Sequence, residues 1–149
     1  MSRILVSGIA TLDIINSVDG FPHEDDEVRA SQQQVRYGGN AANTATVLAQ
    51  LGHDLHFIST LADDMAGHFI ADELTSRHIT ISHPQFIIDA ATPTSYITLN
   101  SRNGSRTIVH YRDLPELSFA KFDAISLDGF NWCHFEGRNC AETLPMMQK

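Results

Sequence analysis

The sequence predicts an α/β protein, with a parallel sheet under helical cover and a small second β sheet. Two observations carry this prediction. Apolar strand-like runs alternate with helical segments through residues 4–77, an order typical of a helix-covered parallel sheet. The alternation then stops, because residues 94–112 contain two β-rich runs around an Asn-Gly pair. With 149 residues, of which 42% are hydrophobic and 19% charged, the chain is long and apolar enough for one globular domain.

Strands and helices alternate through the first half of the chain. Residues 4–9 form a short apolar strand that a polar turn ends, and residues 55–60 form the next strand. Between them a helix is predicted over 40–51, because Gly52 stands where a C-terminal cap glycine belongs. A second helix is predicted over 65–77, where apolar residues recur at helical spacing. Small side chains in the first helix favour close packing on a sheet: Ala41, Ala42, Ala45 and Ala49.

The second sheet is predicted from two distant regions. Residues 28–37 are extended but mostly polar, which suits a sheet that lies partly in solvent. Residues 94–101 and 105–112 flank Asn103-Gly104, a strong signal for a β-hairpin with a type I′ turn. We expect this hairpin to join the polar strands in a small separate sheet.

The last segment resumes the main sheet and then turns helical. Residues 132–136 read as a strand and 139–149 as the beginning of a helix. Pro145 fits a helix interior poorly, so we expect a kink there or a later start. We expect the chain to have been cut at this end, or to be a deliberately short polypeptide. In either case three apolar residues would lack packing partners: Leu144, Met146 and Met147.

The strongest motif lies in residues 36–48, where two glycines are followed at once by a small-residue helix. Gly38 and Gly39 let a ligand approach the backbone, and the first helical turn has unpaired N–H groups. Asn40 and Asn43 supply donors and acceptors, which suit hydroxyl-rich ligands better than anions. The alternative is a tight turn with Asn40 as the N-cap. The segment is neither a Walker A loop nor a Gly-x-Gly-x-x-Gly fingerprint.

Charge and composition limit the classes of partner that the protein is expected to bind. The net charge of −8 disfavours nucleic acid and anionic membranes, and the acidic run at 24–27 reads as a solvated loop. No apolar run approaches the ~20 residues that a membrane span needs. No signal-peptide pattern follows Met1, and Cys133 and Cys140 form no metal or redox spacing, so a reduced cytoplasmic setting is expected.

Polar residues near predicted strand ends are further candidates for chemistry. Asp13 follows the first strand, at the edge where open α/β sheets bind ligands, and a turn-capping role is its alternative. Glu136 ends the last strand, and its alternatives are an ion pair with Arg138 or a helix-start charge. Arg106 could be a surface charge of the hairpin, and Asn139 could be an N-cap.

Metal and nucleophile chemistry have weak support. The chain has eight histidines, and His53 and His56 are the closest pair. Their spacing fits neither a helix face nor alternate strand positions, and no carboxylate or cysteine completes a ligand set. We therefore predict no metal site.

Residues 36–48 resemble the first signature of the PfkB (ribokinase-like) family of sugar and nucleoside kinases. Residues 8–13 resemble the family's first strand with its acidic sugar ligand, and residues 63–67 its Asp-rich turn. Three further segments resemble the ketohexokinase branch of that family: 104–109, 114–118 and 134–139.

The resemblance implies a ribokinase-like parallel sheet, incomplete here, with helices on both faces and a β lid sheet. The lid would come from segments near 14–37 and 93–112, would cover the sugar and would serve dimer contact. The implied activity is ATP- and Mg²⁺-dependent phosphorylation of a sugar hydroxyl. Fructose is the first candidate substrate, and ribose, another ketose and a nucleoside are the alternatives. The implied sugar-binding residues are Asp13, Gly39, Asn40, Asn43 and Glu136, and the implied nucleotide- or phosphate-side residues are Arg106 and Asn139.

One departure limits the resemblance. Family members carry a Gly-Ala-Gly-Asp motif whose Asp is the catalytic base, and no such motif occurs in these 149 residues. We therefore expect residues 1–149 to be the N-terminal, sugar-binding portion of a kinase domain, inactive by itself and without a catalytic residue. The alternatives are a non-catalytic sugar-binding or dimerising module and an inactive truncation.

Overall fold

The computed structural model describes all residues, 1–149, as ten strands and four helices. The strands are β1 Arg3–Ser7, β2 Thr11–Val18, β3 Gln32–Gly38, β4 Asp54–Ile58, β5 Thr60–Ala62, β6 Ile79–Ile81, β7 Gln85–Ile87, β8 Ala91–Asn100, β9 Arg106–Asp113 and β10 Trp132–Phe135. The helices are α1 Asn40–Gln50, α2 Met65–Ser76, α3 Phe119–Asp123 and α4 Cys140–Gln148. None of these helices is long and apolar enough to cross a membrane.

The main sheet is parallel and has the strand order β10-β1-β4-β6. Side chains alternate between its two faces, so the sheet contributes to two apolar clusters. On one face Phe57 of β4 packs with Ile70 and Leu74 of α2 and with the small residues of α1. On the other face Leu5 and Phe122 join β1 to α3 and α4. The prediction of a parallel sheet with helices on both faces is confirmed.

Helix α1 begins immediately after the two glycines. Its N-cap is Gly39, and no side chain caps it, so the alternative of Asn40 as the N-cap is wrong. Asn40 is instead the first helical residue, which leaves its carboxamide free of capping. At the other end Gly52 has a φ of 84° and donates its N–H to the Ala49 carbonyl, so the predicted cap glycine is present.

The second sheet has the order β3-β2-β8-β9, with β2 and β8 parallel and the outer pairs antiparallel. The hairpin β8–β9 therefore does join the polar strands, as the sequence predicts. Two boundaries differ from expectation: β3 begins at Gln32 and not at residue 28, and the first strand is shorter than predicted. Strand β1 ends at Ser7 and β2 begins at Thr11, so Asp13 lies inside the second sheet and not at the end of the first strand.

The turn between β8 and β9 is wider than the type I′ turn that Asn103-Gly104 predicts. Gly104 has a φ of 74°, but Asn103 is not in the left-handed region that a type I′ turn requires. The Gly104 N–H reaches the Asn100 carbonyl, and the Asn103 carboxamide accepts from the N–H and hydroxyl of Ser105. The bonds to Asn103 give the polar groups of the loop hydrogen-bond partners, and they stabilise the longer turn in place of the two-residue one.

Helix α4 continues through Pro145, and it begins at Cys140. The expectation that its apolar residues lack partners is wrong for Met146, which is 4% exposed and packs in the cluster of Leu5 and Phe122. Leu144 and Met147 do remain exposed. Burial of one face of α4 compensates for the hydrogen bond that Pro145 cannot donate.

Candidate functional site

A polar cleft of about 440 Å³ lies between the second sheet and the N-terminus of α1. Five of the sequence-predicted site residues line it: Asp13, Gly39, Asn40, Asn43 and Arg106. They share the lining with residues that the sequence did not single out as ligands: Ile9, Thr11, Ser95, Ile97, Ile108, His110 and Arg138. The two remaining predicted residues, Glu136 and Asn139, line a smaller adjoining recess.

Strand register explains which side chains of the second sheet face the cleft. Asp13 of β2 pairs with Ser95 of β8, and Ser95 pairs with His110 of β9. Paired residues point to the same face, so one row crosses three strands. The Ser95 hydroxyl and His110 Nδ1 are 3.2 Å apart, which ties the row together.

Two glycines allow the cleft floor to form. Gly39 has a φ of 96°, and a Cβ there would lie 2.5 Å from the carbonyl oxygen of Ile9. A Cβ on Gly38 would collide with the carboxylate of Asp13. The glycine pair therefore brings α1 against the start of β2, with Asp13 beside the helix N-terminus.

The polar groups of the cleft have hydrogen-bonding capacity to spare. Thr11 Oγ1 donates to Asp13 Oδ1 over 3.1 Å, and the other carboxylate oxygen of Asp13 has no partner within the protein. Asn40 and Asn43 are exposed on the first turn of α1. A carboxylate and two carboxamides with free positions can receive several hydroxyl groups at once.

The adjoining recess is built around charged groups. Glu136 follows β10, its side chain is only 7% exposed, and its carboxylate accepts from the Ile9 N–H over 3.0 Å and from Asn40 Nδ2 over 3.3 Å. Arg138 lies between two carboxylates, with Nε 3.1 Å from Glu116 and Nη1 3.8 Å from Glu136. The same oxygen of Glu116 also binds Arg112 over 2.8 Å, at the end of β9. Ion pairs thus connect the second sheet with the edge of the main sheet.

Asn139 stands at the N-cap position of α4 with left-handed backbone angles, φ 41° and ψ 60°. Its side chain makes no capping hydrogen bond, so only the position of the proposed N-cap is correct. The carboxamide remains available at the recess, beside Arg138.

Sequence reasoning missed Arg138 as a cleft residue, treating it only as a partner of Glu136. The available signal was that Arg138 lies within residues 134–139, one of the segments on which the family resemblance rests. Ser95 and His110 were missed because their position depends on the register of three strands. Once Asp13 is assigned to a strand paired with β8, the period-two alternation identifies both.

No group of three or more His, Cys, Asp or Glu side chains is arranged to hold a metal ion. His53 Nδ1 accepts from the N–H of Ser2, and His56 bonds Arg3 and Ser82. Burial and the neighbouring Arg3 guanidinium lower the pKa of His56, although Asp54 opposes the shift. Neither histidine lines the cleft, and the contacts of both are structural.

A family model described as pfkB family carbohydrate kinase matches residues 1–142. The chain belongs to this family. Ketohexokinase from Mus musculus is 38% identical over 148 residues, which are 99% of this chain and 50% of that protein. The nucleoside kinase from Methanocaldococcus jannaschii is 27% identical over 80% of the chain and 41% of its own length.

Solved structures agree with the family at the level of the fold. Ribokinase from Cryptococcus neoformans var. grubii serotype A, in complex with ADP, aligns over 99% of this PfkB chain and 45% of its own, with a TM-score of 0.76 and 20% identity. Ribokinase from Arabidopsis thaliana, complexed with ribose and ATP, aligns over 74% of the chain and 36% of its own, with a TM-score of 0.65 and 25% identity. The PfkB chain thus spans about half the length of the curated relatives it matches, or less.

Proposed function

We propose that this PfkB chain binds the sugar acceptor of an ATP-dependent carbohydrate kinase and that the sugar is fructose or a related ketose. One observation carries the proposal. Residues from β2, the Gly-Gly turn, α1 and β9 meet in a single polar cleft, namely Asp13, Gly39, Asn40, Asn43 and Arg106. The choice of a ketose rests on the sequence identity with ketohexokinase, which is higher than the identity with the nucleoside kinase.

The chemistry of the cleft suits a polyhydroxylated ligand. Asp13 can only accept hydrogen bonds, and its free oxygen would receive a sugar hydroxyl. Asn40 and Asn43 would each accept from or donate to neighbouring hydroxyls. The cleft also contains Ile97 and Ile108, whose apolar side chains would contact the C–H faces of the sugar and exclude water.

ATP would supply the phosphoryl group, and the residues present fit its phosphate end. Arg106 and Arg138 line the same cleft, and guanidinium groups suit phosphate oxygens through paired N–H donors. Asn139 adds a free carboxamide in the adjoining recess. Mg²⁺ would accompany the nucleotide, as the family resemblance implies. These residues would orient the phosphate end beside the bound hydroxyl and stabilise its charge.

These residues would bind the acceptor sugar, and none of them would act as the catalytic base. The Gly-Ala-Gly-Asp motif is not among the 149 residues, and the chain covers 50% of the mouse ketohexokinase. A non-catalytic sugar-binding or dimerising module is the second candidate. In the kinase candidate and in the sugar-binding module the cleft binds the sugar.

The second sheet would serve as a lid, formed from segments near 14–37 and 93–112. Its cleft face would cover the sugar, and its opposite face would contact a second copy of the chain. Exposed apolar side chains on that opposite face support the dimer: Val35, Tyr96, Val109 and Tyr111.

Cys133 and Cys140 are both free, which supports a reducing, cytoplasmic setting.

Calorimetric titration of the 149-residue chain with D-fructose, D-ribose and adenosine tests the proposal. We expect saturable binding that is tightest for D-fructose and about 10- to 100-fold weaker in Asp13→Asn, because hydrogen bonds to a charged group are lost. Asp72→Asn is the matched control, since Asp72 is exposed on α2 and bonds no other side chain. A folded sample that binds none of the three ligands would contradict the proposal.

Release of ADP from Mg-ATP with D-fructose tests whether these residues supply the acceptor side only. We expect binding without turnover from this polypeptide alone. Sugar-dependent turnover above that of a mock preparation would contradict the assignment of the acceptor side only, and would require a base among the residues present.

A further inference from the structure

Glu136 is buried beside the cleft, and both of its hydrogen bonds are to protein groups. The side chain is 7% exposed, and it packs so tightly on Gly8 that a Cβ there would lie 2.6 Å from Oε2. Oε2 accepts from the Ile9 N–H, and Oε1 accepts from Asn40 Nδ2. Both carboxylate oxygens are therefore engaged by the protein, and Arg138 lies 3.8 Å from Oε1.

These contacts decide which end of the Asn40 carboxamide faces the cleft. An ionised carboxylate has no proton to donate, so only the NH₂ group of Asn40 can bond Glu136. The carbonyl oxygen Oδ1 then faces away from Glu136 and has no partner within the protein. Asn40 is also free of any capping bond, because Gly39 is the N-cap of α1. Nothing else in the protein holds the carboxamide in this orientation.

We propose that Glu136 is a positioning residue, which orients Asn40 so that its Oδ1 accepts a hydrogen bond from a sugar hydroxyl. This inference rests on the proposed function for the sugar, and it assigns Glu136 an indirect role in place of direct sugar contact. The polarity of the Asn40 contact then helps to select a sugar that presents a hydroxyl donor at that position.

The substitution Glu136→Gln separates orientation from shape. The Ile9 N–H requires an acceptor, so the carbonyl of the introduced glutamine would take that bond and its NH₂ would turn toward Asn40. Asn40 would then rotate to present Oδ1 to that NH₂ group, and its own NH₂ would enter the cleft. We expect Glu136→Gln to weaken D-fructose binding about tenfold, the effect of roughly one mismatched hydrogen bond.

A charge exchange provides the decisive comparison. Asn40→Asp alone puts two carboxylates at a 3.3 Å contact. Because like charges repel each other in a half-buried site, we expect this variant to bind D-fructose more than tenfold more weakly. In the double variant Asn40→Asp with Glu136→Gln, the introduced glutamine donates to the introduced aspartate, whose second oxygen faces the cleft as an acceptor. The net charge of the pair is unchanged, and we expect affinity to recover to within about threefold of the original.

The titrations use the 149-residue chain and D-fructose, with Glu73→Gln as the control for loss of a carboxylate. Glu73 forms an exposed ion pair with Arg77 on α2, at 3.5 Å, away from the cleft. Recovery in the double variant supports the inference. A double variant that binds as weakly as the weaker single variant overturns it, because a direct sugar contact of Glu136 cannot be restored by changing Asn40.

A ligand-free measurement keeps this inference distinct from the proposed function. In ¹⁵N–¹H spectra the side-chain NH₂ of Asn40 should shift and exchange faster with water in Glu136→Gln, while backbone amides of the main sheet stay in place. If the original chain binds no sugar, the proposed function fails and this spectrum alone decides the orientation. An unchanged Asn40 NH₂ signal overturns the inference in either case.

Discussion

At the residue scale, one carboxylate joins α2 to the second sheet. Asp64 is the N-cap of α2, and its Oδ1 accepts from the Gly67 N–H over 2.7 Å. Thr92, at the start of β8, donates its backbone N–H to Oδ2 over 2.8 Å and its hydroxyl to Oδ1. Asp64 therefore helps to determine where β8 enters the sheet, shortly before the cleft residue Ser95.

The hydrogen bonds to Asp64 make stability depend on pH. Burial raises the pKa of this carboxyl, but the bonds from Thr92, Gly67 and Ala66 together lower it more, so the pKa lies below its ordinary value. A group whose pKa is lower in the folded state stabilises the fold above its unfolded pKa. That contribution is lost as the pH falls through the folded-state pKa.

We predict that Asp64→Asn lowers the free energy of unfolding at pH 7 by about 1–3 kcal/mol, because hydrogen bonds to a charge are weakened. The difference from the original chain should shrink below about pH 4, where Asp64 becomes protonated first in the unfolded chain and, at still lower pH, in the folded chain. Urea unfolding across a series of pH values from neutral to acidic measures this, with Asp72→Asn as control. A difference that stays constant across the series would contradict the prediction.

At the element scale, the second sheet has one polar and one apolar face. On the face away from the cleft, register aligns Val35, Ile14, Tyr96 and Val109 in a row across all four strands. Val35, Tyr96 and Val109 are 50%, 51% and 66% exposed, so this row is an uncovered apolar strip. Such a strip on a sheet is suited to contact with a second copy of the chain.

We predict that the chain dimerises through this row and that Val109→Glu shifts it to the monomer, because a charge would be buried in the interface. Light scattering after size exclusion, over a range of protein concentrations, measures the mass. Val47→Glu is the matched control, since Val47 is 54% exposed on α1, outside the second sheet. A monomeric original chain, or a Val109→Glu variant that still dimerises, would count against the interface.

At the scale of the whole molecule, the main sheet is shared by two apolar clusters. Phe57 is fully buried on the α1–α2 face, and Phe122 is fully buried on the α3–α4 face, where its ring lies 5.5 Å from that of Phe135. Because alternate side chains of the same sheet enter the two clusters, we expect the two clusters to unfold together.

We predict that Phe57→Ala and Phe122→Ala each lower the free energy of unfolding by about 3–5 kcal/mol, the usual effect of removing a buried aromatic ring. Because the sheet is common to both clusters, each variant should still unfold in one transition. Urea unfolding followed by far-UV circular dichroism and by tryptophan fluorescence measures both points. Two separate transitions in Phe122→Ala would show that α3 and α4 form an independent unit.

The sequence by itself determined the elements whose signals are local. Alternating strands and helices, the glycines before Asn40 and the cap at Gly52 predicted α1 and the parallel sheet, because side-chain period and backbone freedom act over a few residues. The motif around Asn40 also indicated the kinase family and three residues of the cleft, Gly39, Asn40 and Asn43. Short elements such as β5 and β7 carried too few residues for a periodic signal.

The tertiary structure alone decided which side chains meet. Ser95 and His110 join Asp13 through the register of three strands, and Arg138 reaches the cleft between Glu116 and a buried Glu136. Likewise Met146 is buried only because α4 packs on the sheet face formed by distant β1. Register, helix packing and the sharing of one carboxylate between distant segments depend on through-space contacts, and no spacing along the chain encodes them.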